Sequence, residues 1–255
     1  MIAGIDPTRL ATFTQREIAR FAASRPNTQA ALATGAAAYL AGVPMHWMRD
    51  WPMPFPLVIE SAKGARITDI DGYGLDDFCL GDTGSLFGHS PTPVARAVAQ
   101  QARRGLTYML PSTDALEAGR LLTKRFGNFR WQIATTASDA NRCAIRIARG
   151  VTGRPKILVF NGCYHGTVED VMVTLDAGRT VTRPGMVGQV ADPAAHAVVV
   201  EFNDLAALHA ALATGDVAAV LAEPVMTNCA MVLPQPGFWN AMRAACDAAG
   251  NPVDY

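Results

Sequence analysis

Lysine is scarce in this 255-residue chain, where the 22 basic residues include only Lys63, Lys124 and Lys156. Lys+Arg and Asp+Glu balance at 22 each, so no global basic field argues for nucleic acid and no basic tail argues for a membrane surface. No charged-then-apolar leader opens the sequence, and no apolar run reaches the roughly 18 residues that a membrane span needs. A soluble, cytoplasmic protein is expected. The cysteines (Cys79, Cys143, Cys163, Cys229, Cys246) are far apart and form no CxxC pair, so reduced thiols are expected. His46, His89, His165, His196 and His209 show no metal-ligand spacing. Neither GxGxxG nor GxxxxGK[ST] occurs, which weakens any nucleotide-using α/β oxidoreductase or P-loop reading.

What is present fits a globular, enzyme-like body. Half of the residues are hydrophobic and 17% are charged, which excludes extended disorder and allows a substantial core. Helices are expected first, one starting at Pro7-Thr8 and an alanine-rich one from about 28 to 40. Gly42 to Pro56 is crowded with prolines and aromatics and is expected to be neither helix nor central strand. A β-meander follows over 57–79, with turns at Lys63-Gly64 and Asp71-Gly72. Beyond it the rhythm changes to helices at about 91–105 and 114–126, a strand at 131–134, a helix at 138–149 and a strand at 157–160. After a loop-rich stretch come a strand (197–201), helix (204–213), strand (217–222) and helix (237–248). That alternation predicts an α/β fold with a mainly parallel sheet. The domain change is placed near 85, giving an N-terminal helical segment and meander over 1–85 and a large domain over 86–255.

The most informative stretch runs from Ile133 through Thr135-Thr-Ala-Ser138 into the helical pattern ending at Gly150. A sharp turn through small residues into a helix leaves backbone N–H groups and the positive dipole end pointing outward, which makes an anion site, most often for phosphate. Just downstream, Gly162-Cys-Tyr-His-Gly166 presents an aromatic between glycines. Together they suggest a phosphorylated planar cofactor; an ordinary Ser/Thr/Asp helix cap with a tyrosine in a loop is the plainer alternative. Gly84-Ser-Leu-Phe-Gly-His-Ser-Pro91 reads as a turn with a capping serine or as a second site element. Glu223-Pro-Val-Met-Thr-Asn228 follows an all-apolar strand, at the end where open α/β sheets bind ligands. His165 is either a structural histidine or an acid–base group.

In this order the motifs resemble the class III, fold type I, pyridoxal-phosphate-dependent aminotransferases, in particular the branch of glutamate-1-semialdehyde aminomutase. Six pieces carry the resemblance: Lys63 to Gly72, Leu86 to Pro91, Thr135 to Asn141, Ala148 to Ile157, Gly162 to Gly166 and Glu223 to Val225. The resemblance implies a PLP-transferase fold type I and the cofactor pyridoxal 5'-phosphate. It implies that the N–H groups of Ala137 and Ser138, with the Ser138 hydroxyl, hold the phosphate. It further implies that Tyr164 stacks on the pyridine ring with His165 beside it, and that Asn228 lies near the ring hydroxyl. Arg49 matches by position the family's arginine for a substrate carboxylate, and Glu223 is assigned to the substrate side. The activity implied is amino-group transfer on an amino acid or amino-aldehyde by a homodimer. Two departures stand out: Ala137 replaces a glycine, which is costly if the turn needs a positive φ, and Asp139 replaces a glutamate.

Two further requirements of that chemistry are not met. The family uses a lysine amine to hold the cofactor covalently and to shuttle a proton, and a carboxylate on the pyridinium nitrogen. After Ala249-Gly250 an apolar strand ending in Asp-Glu is expected, yet the chain reads Asn251-Pro-Val-Asp-Tyr255, and proline does not suit a central strand. None of the three lysines occupies the required place. The chain is therefore expected to be an N-terminal part of such an enzyme, incomplete at the C-terminus and unable to transaminate alone. The alternative is a non-catalytic protein that keeps the cradle and binds a phosphorylated ligand.

Overall fold

The computed structural model describes residues 4–82 and 84–250, together with the backbone of 253–254. Helix α1 (Pro7–Ala23) starts where Pro7 fixes the first turn and the Asp6 carboxylate accepts the N–H groups of Thr8 and Arg9. Helix α2 (Pro26–Gly35) also begins on proline, but its Arg25 N-cap supplies no side-chain bond. The cap comes from the meander instead: Asp71 accepts Asn27 N–H at 2.8 Å, Thr28 N–H at 2.9 Å and the Thr28 hydroxyl at 2.6 Å. Proline-rich 42–56 is not wholly irregular. A short 3-10 turn covers His46–Arg49, between Pro44 and Pro52, because a brief turn fits between prolines where an α-helix does not.

Strands β1 (Ile59–Lys63), β2 (Arg66–Asp69) and β3 (Gly74–Asp76) pair antiparallel in sequence order. The Arg25 guanidinium is buried between the Phe21 and Tyr73 rings, 4.1 and 4.6 Å from their centroids, and its Nε donates to Asp69 Oδ2 at 3.1 Å. The Leu86-Phe-Gly-His-Ser-Pro motif belongs to this meander. Gly64 and His89 exchange backbone hydrogen bonds, and His89 Nε2 lies 2.6 Å from Asp77 Oδ2. Ser90 bonds back to the Ala62 carbonyl, and Pro91 stands at the cap of helix α3 (Thr92–Ala102). The chain divides into two compact units, Met1–Leu116 and Glu117–Tyr255, with the division inside helix α4 (Thr113–Phe126).

In the second unit, helix α5 (Ala137–Thr152) leads to strand β4 (Lys156–Phe160). The hairpin β5 (Val173–Asp176) and β6 (Arg179–Thr182) follows, then strand β7 (Ala197–Val200), helix α6 (Leu205–Leu212), strand β8 (Val217–Leu221) and helix α7 (Phe238–Ala249). Strands β7, β4 and β8 are adjacent and parallel. Their side chains alternate apolar with apolar because both sheet faces are covered, which is why Ile157 through Phe160 and Val217 through Leu221 are all buried. Phe160, Phe202 and Phe238 add an edge-to-face cluster with centroids 5.0–5.7 Å apart.

Three expectations need correction. The strand at 131–134 does not form, because no described strand lies alongside to pair with it; Trp131 instead packs edge-on to Phe126 and Phe129 and donates to the Thr123 hydroxyl. The stretch between β4 and β7 contains the β5–β6 hairpin, anchored by Asn161, whose Oδ1 accepts from Leu175 N–H and the Thr174 hydroxyl. A two-residue strand β9 (Val253–Asp254) does form beside β8, with Val253 opposite Val220 and Asp254 opposite Leu221. It begins after Pro252, which lies outside the described residues.

Candidate functional site

Helix α5 supplies the first wall of the site. Its N-cap is Thr136, whose hydroxyl accepts Asp139 N–H at 3.1 Å and donates to Asp139 Oδ2 at 2.9 Å. The two bonds tie the cap residue to the third helical residue, and the short aspartate reaches the cap hydroxyl where the resemblance led one to expect glutamate. Ala137 and Ser138 are the first two helical residues, so their N–H groups have no partner within the helix. Ala137 is absent from the residues with positive φ, and the alanine in place of glycine therefore costs the turn nothing. Gly153, at φ +68°, ends the helix, its N–H bonding to the Arg149 carbonyl.

Because α5 runs back before β4 begins, its N-terminal end lies beside the carboxyl ends of β4 and β8, where the chain turns into two loops. The β4 loop carries Tyr164 and His165. Thr167 N–H donates to Ser138 Oγ at 3.0 Å, and Asn141 Nδ2 donates to the His165 carbonyl at 3.0 Å. Gly166 between them has φ +79°, and a Cβ there would lie 2.1 Å from Ser138 Oγ. Only glycine allows this approach.

Tyr164 is 55% exposed, so its ring is available to a ligand, whereas His165 is 7% exposed. Burial pushes the His165 imidazole down to about 4, against the nearby Glu223 carboxylate, which favours the charged form. The ring is neutral at pH 7 and its Nε2 has no hydrogen-bond partner. That environment suits a packed wall better than a general base. The thiol of neighbouring Cys163 is pushed up to about 11, again chiefly by burial.

The β8 loop supplies the remaining wall. Glu223 Oε2 accepts Tyr164 N–H at 2.8 Å, while Oε1 accepts the Thr227 hydroxyl at 2.7 Å and Thr227 N–H at 3.2 Å. Asn228 is exposed in the turn closed by the Met226–Val232 bridge. Arg183, not anticipated from the sequence, donates from Nη2 to the Cys163 carbonyl at 3.0 Å. No local signal marks it, because the β5–β6 hairpin that brings it there has no motif of its own. Ala137, Ser138, Tyr164, His165, Glu223 and Asn228 all lie in the second unit; Arg49 lies in the first, exposed at the end of a 3-10 turn. No described helix is long and apolar enough to cross a membrane.

The family described as Aminotransferase class-III matches residues 48–251. A glutamate-1-semialdehyde 2,1-aminomutase of Methanothrix thermoacetophila is 35% identical over 192 residues, covering 74% of this chain and 45% of that protein. A glutamate-1-semialdehyde-aminomutase structure from Pseudomonas aeruginosa PAO1 superposes with a TM-score of 0.92 at 47% identity, over 98% of this chain and 55% of its own. A variant of that description from the same organism, in complex with PMP, has the same TM-score and coverage. A β-phenylalanine aminotransferase from Variovorax paradoxus is more distant, with a TM-score of 0.78 at 26% identity over 92% of this chain and 52% of its own. The chain spans about half the length of these relatives. The architecture is that of the fold type I pyridoxal-phosphate transferases, and the chain belongs to the class-III aminotransferases.

Proposed function

We propose that the second unit binds pyridoxal 5'-phosphate as the cofactor part of an aminotransferase or aminomutase acting on a small amino acid or amino-aldehyde. One observation carries this reading: Thr167 N–H on Ser138 Oγ draws the Tyr164 loop onto the open N-terminal turn of α5, so an anion cradle and an aromatic wall share one rim. The residues fit the group. The N–H groups of Ala137 and Ser138 and the helix dipole hold the phosphate. The Ser138 hydroxyl, whose lone pair is occupied by Thr167, keeps its proton to donate to a phosphate oxygen. Tyr164 covers one face of the ring, neutral His165 backs it, and Asn228 offers its amide to the ring hydroxyl. When bound, pyridoxal phosphate supplies the electron-withdrawing ring that amino-group transfer requires.

Arg49 is proposed to receive a substrate carboxylate, in a two-fold homodimer of the full-length enzyme. None of the lysines supports covalent attachment in the second unit's cradle. Lys156 pairs with Asp216 at 2.7 Å where β4 begins, at the end of the sheet away from the cradle, and Lys124 is exposed on α4. Lys63 ends β1 in the first unit, cross-strand from Arg66. The chain is therefore proposed to hold the cofactor without covalent attachment and not to transfer amino groups unaided.

Titrating the purified chain with pyridoxal phosphate, followed by visible absorption and by competition with inorganic phosphate, tests this. Saturable binding that phosphate displaces, and that Ser138→Asp abolishes, is the expected result. Absence of binding removes the cradle. Borohydride reduction followed by peptide mapping tests the second part, and a stable adduct at one lysine together with amino-group transfer overturns it.

A further inference from the structure

We propose that Glu223 is a positioning residue, whose carboxylate clasps the Tyr164 loop to the loop after β8 and sets where the tyrosine ring stands, without contacting substrate. This rests on the reading of the second unit as a pyridoxal-phosphate site. It departs from the substrate-side role expected for Glu223 from the sequence.

Both oxygens of the carboxylate are already used. Oε2 receives Tyr164 N–H at 2.8 Å, and Oε1 receives the Thr227 hydroxyl and N–H at 2.7 and 3.2 Å. These three loop donors take most of the roughly four acceptor positions of a carboxylate, which leaves little of it for a substrate amine. The donors come from two different loops, 59 and 4 residues away in sequence, so one side chain joins segments that the backbone does not. Hydrogen bonds to an ionised carboxylate are about twice as strong as neutral ones, which suits a clasp.

The rest of the loop shows why Tyr164 needs such a tie. The Cys163 carbonyl is held by Arg183, the His165 carbonyl by Asn141 and Thr167 N–H by Ser138. These fix the loop toward α5 and the β5–β6 hairpin. The peptide that carries the tyrosine ring is held from the third side, through its own N–H, by Glu223. Gly162 and Gly166 flank the segment at φ +82° and +79°, and neither has a side chain to restrict rotation. Without the clasp the planar Cys163–Tyr164 peptide keeps only the Arg183 bond on its carbonyl side, so it is held less firmly between these glycines and the half-exposed ring loosens with it.

The cradle and the ring wall can be measured separately. Inorganic phosphate probes the α5 turn alone, and pyridoxal phosphate probes the turn plus Tyr164. In Glu223→Ala the affinity for pyridoxal phosphate should fall roughly tenfold while that for phosphate stays unchanged, the size expected when, of the three bonds lost, the one to Tyr164 N–H is what bears on the ring. Amide hydrogen exchange at Tyr164 and Thr227 should rise in the chain alone. Glu223→Gln should fall between, because its carbonyl oxygen still serves one loop while its amide group cannot accept from the other; this variant also decides the matter if the alanine variant does not fold. Unchanged Tyr164 exchange with an unchanged affinity ratio overturns the clasp, as does an equal fall in both affinities. If the parent chain binds neither probe, the cofactor reading fails, and Tyr164 exchange then decides the clasp by itself.

Discussion

Gly166 approaches Ser138 so closely that a methyl group on it would lie 2.1 Å from the serine oxygen. Relief would need the Ser138 hydroxyl to swing away and give up Thr167 N–H, and the glycine itself sits at φ +79°. The ring-bearing loop and the helix turn are thus locked at a distance that only glycine permits.

Gly166→Ala should therefore destabilise the chain by about 2–3 kcal/mol, the sum of a left-handed alanine and an overpacked contact. Urea unfolding measures it. In the double variant with Ser138→Ala the clashing oxygen is gone, leaving the Cβ at 3.1 Å, and part of the loss should return. A double variant as unstable as the sum of the two single ones would mean that the contact is not the cause.

Stability should depend on pH through His165. Its folded-state value of about 4 lies below the ordinary 6.5, so between these values the unfolded chain binds more protons than the folded one. Stability is full above about 6.5 and declines as pH falls toward 4. The total loss is on the order of 3 kcal/mol. His165→Gln should flatten this window, and an unaltered slope from pH 7 to 4 in that variant would assign the dependence elsewhere.

Thiol reactivity should sort by burial. Cys79 and Cys143 are exposed, whereas Cys163 and Cys246 are buried with thiols pushed up to about 11 by desolvation. A disulfide reagent at pH 8 should label the first pair at once and the second only after denaturation. Rapid labelling of Cys163 in the native chain would contradict the packing behind Tyr164.

In the first unit, the Arg25–Asp69 pair should be costly to break from one side. Asp69 is fully buried, accepts Tyr73 N–H at 2.8 Å on its other oxygen, and would be left as an uncompensated charge by Arg25→Met. The expected loss is about 3–5 kcal/mol, read by thermal or urea unfolding. Replacing both residues, Arg25→Met with Asp69→Asn, should cost less than the sum. Additive losses would show that the two charges do not interact.

The second unit was largely legible because its elements carry their signals locally. Four adjacent apolar residues at Ile157–Phe160, bounded by turn residues, suit a strand covered on both faces, and the small residues Thr135–Ser138 mark the start of α5, which runs three residues beyond the expected 149 to Thr152. Ser138 and Tyr164 could be singled out for the same reason, each sitting in a motif that its neighbours explain. Asp71 shows the opposite case. It read as a hairpin-turn residue, which it is, but its carboxylate caps a helix that starts 45 residues earlier.

By itself, the sequence determined where most helices and the buried strands of the parallel sheet lie, because capping, proline and apolar runs act over a few residues. Tertiary structure alone decided which polar groups answer one another. Trp131 to Ala134 is apolar enough for a strand but has no neighbour to pair with, while β5 and β6 are weak strands that pair with each other and are held by Asn161. A strand is a property of two segments, not one. For the same reason Glu223 reads in sequence as a carboxylate free to meet a ligand, and only the fold, by bringing Tyr164 and Thr227 to it, makes it a clasp.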